Sequence, residues 1–271
     1  RHLTKALKQI GFESVDAHPS CFWHPVYKCM LTAYVDDVLL AGPSQHHAEI
    51  WRRLRDPKEG NISFEDPTDI GRFLGCNHHA VSDGQRSGII FEMNDYMQQA
   101  VDKYTQLVGA KALKYAPTPF MNEGSLLATD DEERGELEAN ACGVLMKALY
   151  AARLSRPDIL KAINALASKV SKWTRNCDKE LWRLICYMNS TKHYTLQGYV
   201  GDRSEDLSVE LFVDADFCGD RLDTKSTSGA MLVLTGPNSF FPLTWMSQKQ
   251  TATSRSTTES EVIALAHAMF R

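Results

Sequence analysis

The chain has 271 residues, 43% of them hydrophobic and 24% charged, enough apolar material for one large core or two to three small ones. A formal net charge of −4 excludes a uniformly basic nucleic-acid-coating protein, so any polyanion surface must be local. The seven cysteines form no CxxC pair, no apolar run approaches the roughly 20 residues of a membrane span, and no signal-peptide core opens the chain, so a soluble intracellular protein with reduced thiols is expected.

Leu3, Ala6, Leu7 and Ile10 fall at helical spacing and are followed by Gly11, which predicts a helix over His2–Phe12. Strands follow around Cys21–Tyr27 and Met30–Leu40, then a helix over Pro43–Asp56 with Ser44 as its expected N-cap. Short strands flank the turn residues Asp83-Gly84 and end near Met93. A proline-punctuated linker, Ala116–Phe120, and an acidic run, Asp130–Glu138, lead into a helical connector. Its apolar positions are Leu145, Leu149, Ala152, Ile159, Ile163, Leu166, Val170, Leu181, Leu184, Ile185 and Met188. Between Arg156 and Arg203 nine bases stand against four acids, an excess that a solvated helical face commonly carries.

From Leu207 the sequence alternates strictly, with Leu211, Val213 and Ala215 on one side and Phe212, Asp214 and Asp216 on the other. Two further strand-like runs and a helix beginning near Ser256 complete the pattern. There is no internal repeat and no low-complexity tract.

Three features carry candidate chemistry. Asp36 and Asp37 are adjacent between two strand-forming runs. They are read either as a polar hairpin turn or as a like-charge pair that a divalent cation would relieve, as in magnesium-assisted phosphoryl transfer. On the alternating strand either Asp214 or Asp216 is the candidate acid, and the pattern does not choose between them. In "STTE" (Ser256–Glu259) the spacing is that of a capping box. Glu259 also falls on a stripe with Val262, Ile263, Ala266 and Phe270, which would turn it toward the sheet and a shared metal site with the strand aspartate. Lys249 and Arg255 are candidate phosphate contacts, sequence-independent and salt-sensitive. The adjacent pairs His46-His47 and His78-His79 point apart on any element and have no ligand partner at metal spacing.

The segment "YVDD" followed by "VLLAG", together with "GFESVDAHPSCFW", "FLGC", "TPF", "SRPDI", "KSTSG" and "SQKQTATSRSTTESEVIAL" in this order, resembles the Pol polyprotein of Ty1/copia-type LTR retrotransposons over nearly the whole chain. The resemblance implies a multidomain α+β and α/β fold. Residues 1–92 would be the later part of a reverse-transcriptase palm, 93–205 a mainly helical thumb and connection, and 206–271 the first part of a ribonuclease H-like mixed sheet with a helix.

The resemblance further implies that Asp36 and Asp37 are metal-binding catalytic residues, with Tyr34 and Val35 as the floor under the primer end. Asp214 and Glu259 would be the ribonuclease H carboxylates. Mg²⁺ is the implied cofactor, with Mn²⁺ as a substitute. The implied partners are an RNA template, a DNA primer, an RNA/DNA hybrid, dNTP and the element's other Pol and Gag products, with no membrane, in a cytoplasmic virus-like particle and the nucleus. One more aspartate of each set would lie on a strand outside residues 1–271, and the chain lacks an initial methionine, so it is expected to be a fragment inactive in isolation. "CYMNSTKHYTL" departs from the family, which usually carries Leu-Lys-Gly before the threonine where Asn189-Ser190 stands. The rival expectation is a degenerate element product with at most passive nucleic-acid binding. A hydrolase built on Asp36-Asp37 alone is disfavoured by the long separation of the two acid clusters.

Overall fold

The computed structural model describes residues 2–109, 113–122, 124–219 and 223–270. It divides into two compact units, Arg1–Leu74 and Gly75–Arg271. Among the described residues no helix is long and apolar enough to cross a membrane, and all seven cysteines are free.

The first unit opens with α1 (His2–Gln9), followed by β1 (Glu13–Val15), β2 (His18–His24), β3 (Cys29–Tyr34) and β4 (Asp37–Ala41). After α2 (His47–Arg55) an irregular segment leads to the two-residue β5 (Arg72–Phe73). The four longer-spaced strands form an antiparallel sheet in sequence order. Phe22 pairs with Leu31 and Leu31 with Leu40, and cross-strand partners share a face. That face meets Leu7, Ile10 and Phe12 from the N-terminal segment and Ile50 and Leu54 from α2. Each such fully buried side chain contributes about 1.5–3 kcal/mol. The expected helix stop is found at Gly11, whose φ of +103° is a conformation glycine adopts without a Cβ penalty. The expected cap at Ser44 is not found. Ser44–His46 is a 3₁₀ turn leading into α2, and no side chain caps either.

The second unit contains β6 (Cys76–Ser82), β7 (Ser87–Glu92), α3 (Asn94–Val108), α4 (Glu138–Leu154), α5 (Leu160–Ala167) and α6 (Arg175–Ser190). These are followed by β8 (Leu196–Val200), β9 (Ser208–Ala215), β10 (Thr227–Gly236), β11 (Ser239–Lys249) and α7 (Thr257–Met269). The sheet runs β6-β7-β8-β11-β10-β9, and each of these pairings is antiparallel. Residues 206–271 were expected to carry a ribonuclease H-like mixed sheet; the described strands there are antiparallel because β9, β10 and β11 follow one another as a meander.

The strands of 76–92 belong to this same sheet. β8 pairs with β7 on one side and with β11 on the other, so the sheet crosses the boundaries expected near 92 and 205. Pro242, which donates no hydrogen bond, sits at the register shift between β10 and β11, a place where sheets tolerate proline.

The connector core is close to that expected. Leu145, Ile159, Ile163, Leu166, Leu181, Leu184, Ile185 and Met188 are buried, joined by Met97, Ala100, Val101 and Tyr104 of α3. The acidic run is pinned to α6. Asp178 accepts the backbone N–H of Glu136 at 2.6 Å and of Leu137 at 3.2 Å, and Trp173 Nε1–H at 2.7 Å. Lys179 pairs with Asp130, and Arg175 with Glu133 at 2.6 Å.

These pairs also account for the basic excess. Arg156, Lys161, Lys169, Arg175, Lys179 and Arg203 each lie against a carboxylate, several supplied from outside the stretch. The excess is a compensated helical surface.

Candidate functional site

The two carboxylate clusters lie in different units and are described separately. In the first, Tyr34 pairs with Asp37, which leaves Val35 and Asp36 as a two-residue hairpin tip. Val35 has φ +54°, a value that two-residue hairpin turns require and that glycine, asparagine or aspartate adopt with least strain. A β-branched residue there costs on the order of 1–3 kcal/mol. Tyr34 is 57% and Val35 82% exposed, and Asp36 and Asp37 are exposed beside them. Among the described residues neither aspartate side chain has a hydrogen bond or ion pair. By alternation Tyr34 and Asp37 share the face of Thr32 and Leu39, opposite the packed core. The tip therefore offers two adjacent hard oxygen donors held by a rigid hairpin, with an aromatic ring beside them.

In the second unit, β9 is the edge strand. Ala215 pairs with Ser228 and Asp214 with Gly229, so the two pairs face opposite sides of the sheet. Ser228 Oγ accepts Gln250 Nε2–H at 3.0 Å, and the same amide donates to the Ser260 carbonyl of α7 at 2.9 Å. Helix α7 therefore covers the Ser228 side, and Asp214 faces the other. There Asp214 and Asp216 line a pocket of about 230 Å³ with Lys161, Leu160, Met231 and Trp245.

The two aspartates differ in their commitments. Asp216 accepts Lys161 Nζ–H at 2.6 Å and the Thr227 backbone N–H. Asp214 has no hydrogen bond or ion pair among the described residues. This difference separates two residues that the alternation left equivalent.

Glu259 sits at the start of α7. Its Oε2 accepts the Arg255 backbone N–H at 2.6 Å while Ser256 Oγ accepts the Glu259 backbone N–H at 3.1 Å, a capping box closed through the amide of the residue preceding the N-cap rather than that of the N-cap itself. The stripe expected through Val262, Ile263, Ala266 and Phe270 is not the buried one. Ser260 and Ala264 are buried, whereas Val262 is 61% and Phe270 92% exposed. Apolar residues surround this helix, so periodicity alone did not identify its packed side.

Thr227 pairs with Lys249 and Ser228 with Ala215, which puts the end of β9 and the segment leading into α7 at one end of the sheet. No described hydrogen bond joins Asp214 to Glu259. Lys249 forms an ion pair with Asp223 at 2.9 Å, and Arg255 is exposed. Among the described residues no group of three or more His, Cys, Asp or Glu is arranged to hold a metal.

Residues missed from sequence are Lys161 and Gln250. Lys161 meets its partner across 55 positions, a pairing no local pattern reveals. Gln250 is only 1% exposed and also accepts Ser254 Oγ–H at 3.1 Å. A polar "SQKQ" ending a strand is an ordinary loop signal, so its burial was not legible.

The chain is similar to the retrovirus-related Pol polyprotein from transposon RE1 of Arabidopsis thaliana, 27% identical over 88% of this chain and 15% of that protein. It is similar to the retrovirus-related Pol polyprotein from transposon TNT 1-94 of Nicotiana tabacum, 26% identical over 87% of this chain and 17% of that protein. The uncharacterized mitochondrial protein AtMg00810 of Arabidopsis thaliana is 27% identical over 87% of this chain and 90% of its own length. The chain thus spans a small part of the two Pol polyproteins and matches most of the third relative. No family model matches the chain. No solved structure matches it.

Proposed function

We propose, from the chain's similarity to the retrovirus-related Pol polyproteins of transposons, that it is a section of an RNA-directed DNA polymerase with ribonuclease H. Asp36 and Asp37 serve the first activity; Asp214 and Glu259 serve the second. The observation that carries this reading is the hairpin tip: a strained Val35 presents, beside Tyr34, two adjacent carboxylates without a partner among the described residues. A turn selected only to reverse the chain would place glycine or asparagine there.

Hard oxygen donors of this kind fit Mg²⁺, or Mn²⁺ in its place. When bound, the cation supplies charge stabilisation at the attacking and leaving oxygens of phosphoryl transfer. Asp36 and Asp37 hold it, and Tyr34 lies beside the primer end. At the other site Asp214 is the strand ligand, while Asp216 stays with Lys161. Glu259 is the family's candidate partner for Asp214, but it stands at the α7 terminus on the side of the sheet opposite that aspartate, and its described contacts are those of the cap. Arg255 and Lys249 contact the hybrid backbone, Lys249 by exchanging Asp223 for phosphate.

The partners are an RNA template, a DNA primer, the RNA/DNA hybrid, dNTP and the element's other Pol and Gag products. Residues 1–271 supply two carboxylates to each catalytic set.

The test uses a Pol protein containing this chain, assayed with Mg²⁺ for primer extension on RNA and for cleavage of a hybrid. Asp36→Asn abolishes extension and spares cleavage; Asp214→Asn does the reverse. A protein in which both activities survive both substitutions disproves the assignment.

A further inference from the structure

Asp214 and Asp216 stand on one side of the sheet end, close enough in sequence for their charges to repel unless a cation intervenes. At Asp216 that cation belongs to the protein. Lys161 of α5 places Nζ 2.6 Å from Asp216 Oδ2, with the lysine 49% and the aspartate 25% exposed. Thr227 donates its backbone N–H to Oδ1, and the Asp216 backbone N–H returns a hydrogen bond to the Thr227 carbonyl at 3.1 Å. A Cβ at Gly219 would overlap the Asp216 carboxylate, so the turn after β9 also closes on it. Both oxygens of Asp216 are therefore occupied, one by a full positive charge. Asp214 lines the same pocket with no partner among the described residues.

We infer that Lys161 is a positioning residue: a resident counter-cation that withholds Asp216 and leaves Asp214 as the carboxylate this strand offers to a divalent cation. The inference rests on the metal reading of Asp214 proposed above. Its physical basis is competition. An ammonium group at Asp216 repels an approaching dication and fills the acceptor that would otherwise make the strand a two-carboxylate ligand. Hybrid cleavage then requires the remaining ligands to come from other elements, which ties cation capture to their correct assembly.

The test is direct on the 271-residue chain and needs no catalysis. Mn²⁺ is titrated while paramagnetic broadening is read at the amide resonances of residues 213–217 and 227–229. Wild type broadens at these positions, and Asp214→Asn abolishes the effect. Lys161→Met shifts the titration to lower Mn²⁺ by on the order of tenfold, as expected for removing a competing charge at a partly screened site. Lys161→Arg, which keeps the charge, titrates as wild type, and adding Asp216→Asn to Lys161→Met restores the wild-type curve. Retained dispersion of the amide spectrum checks that each variant is folded; because Lys161 is half exposed, its replacement is expected to fold.

A Lys161→Met chain that titrates like wild type or more weakly overturns the inference while leaving Asp214 as a ligand. Identical broadening in wild type and Asp214→Asn, or none in any variant, overturns the metal reading itself.

Discussion

Arg156 lies flat against Asp158, Nε to Oδ1 at 2.9 Å and Nη2 to Oδ2 at 2.7 Å, with the arginine only 2% exposed. The same guanidinium donates to the Thr191 carbonyl at 2.9 Å and to Thr191 Oγ1 at 2.7 Å, fastening the corner between α4 and α5 to the end of α6. Tyr187 donates to Asp158 Oδ2 at 2.8 Å; burial first, and this hydrogen bond second, push its pKa up to about 12. Asp158→Ala leaves the arginine charged and buried, and should cost the second unit about 3 kcal/mol. Tyr187→Phe removes one hydrogen bond and should cost about 1 kcal/mol. Urea unfolding followed by tryptophan fluorescence checks both; equal, sub-kilocalorie losses would contradict the network's role.

His24 gives the first unit a pH dependence. It is 5% exposed, contacts the Ile10 carbonyl through Nε2 at 3.2 Å, and accepts the Tyr27 backbone N–H at Nδ1 at 3.2 Å, which suits the neutral ring. Burial is the main cause that lowers its pKa from 6.5. The unfolded chain therefore binds the proton more readily. The associated stability is present above about pH 6.5 and is lost as pH falls toward the folded-state value. Wild type should lose stability between pH 7 and 5, and His24→Gln should show a flatter profile in the same unfolding measurement.

Val35→Gly should relieve the hairpin tip. Glycine reaches φ +54° without a Cβ clash, although it adds entropy to the unfolded chain, so a net gain of about 1 kcal/mol is expected. Thermal unfolding of the first unit reads it. A loss of stability would show that Val35 makes contacts worth more than its strain.

Asp178 should govern the acidic segment. Asp178→Ala removes the acceptor for two backbone amides and for the Trp173 indole, a loss of about 2 kcal/mol for hydrogen bonds to a charged group. Hydrogen exchange should accelerate at Glu136 and Leu137. If both amides keep their protection, the segment is held by the Lys179 and Arg175 ion pairs instead.

Elements with one clean period were legible in sequence. The alternation from Leu211 to Ala215 matches the second half of β9, and Asp83-Gly84 marks the β6–β7 turn, where Asp83 accepts the Arg86 and Gln85 amides and its pKa is lowered to about 2, chiefly by the Arg86 amide. Helix α3 escaped notice because polar residues interrupt its apolar stripe, and β8 because five residues containing Gly198 carry little strand signal. The site was legible as a set of acids and not as a geometry. Asp214 and Asp216 are equivalent in the alternation, and only the distant Lys161 distinguishes them. Glu259 satisfied both its readings in sequence, and its described contacts are those of the cap.

β8 also has a consequence for how the molecule is made. Phe91 pairs with Leu196 and Tyr199 with Phe240, so the β6–β7 hairpin emerges from a ribosome long before the strand that covers its edge. At ordinary synthesis speeds that wait lasts on the order of ten seconds, during which an unpaired edge is open to misassociation. A truncation after the helical connector but before β8 would make the exposure permanent, and such a product should aggregate even though its helices are intact.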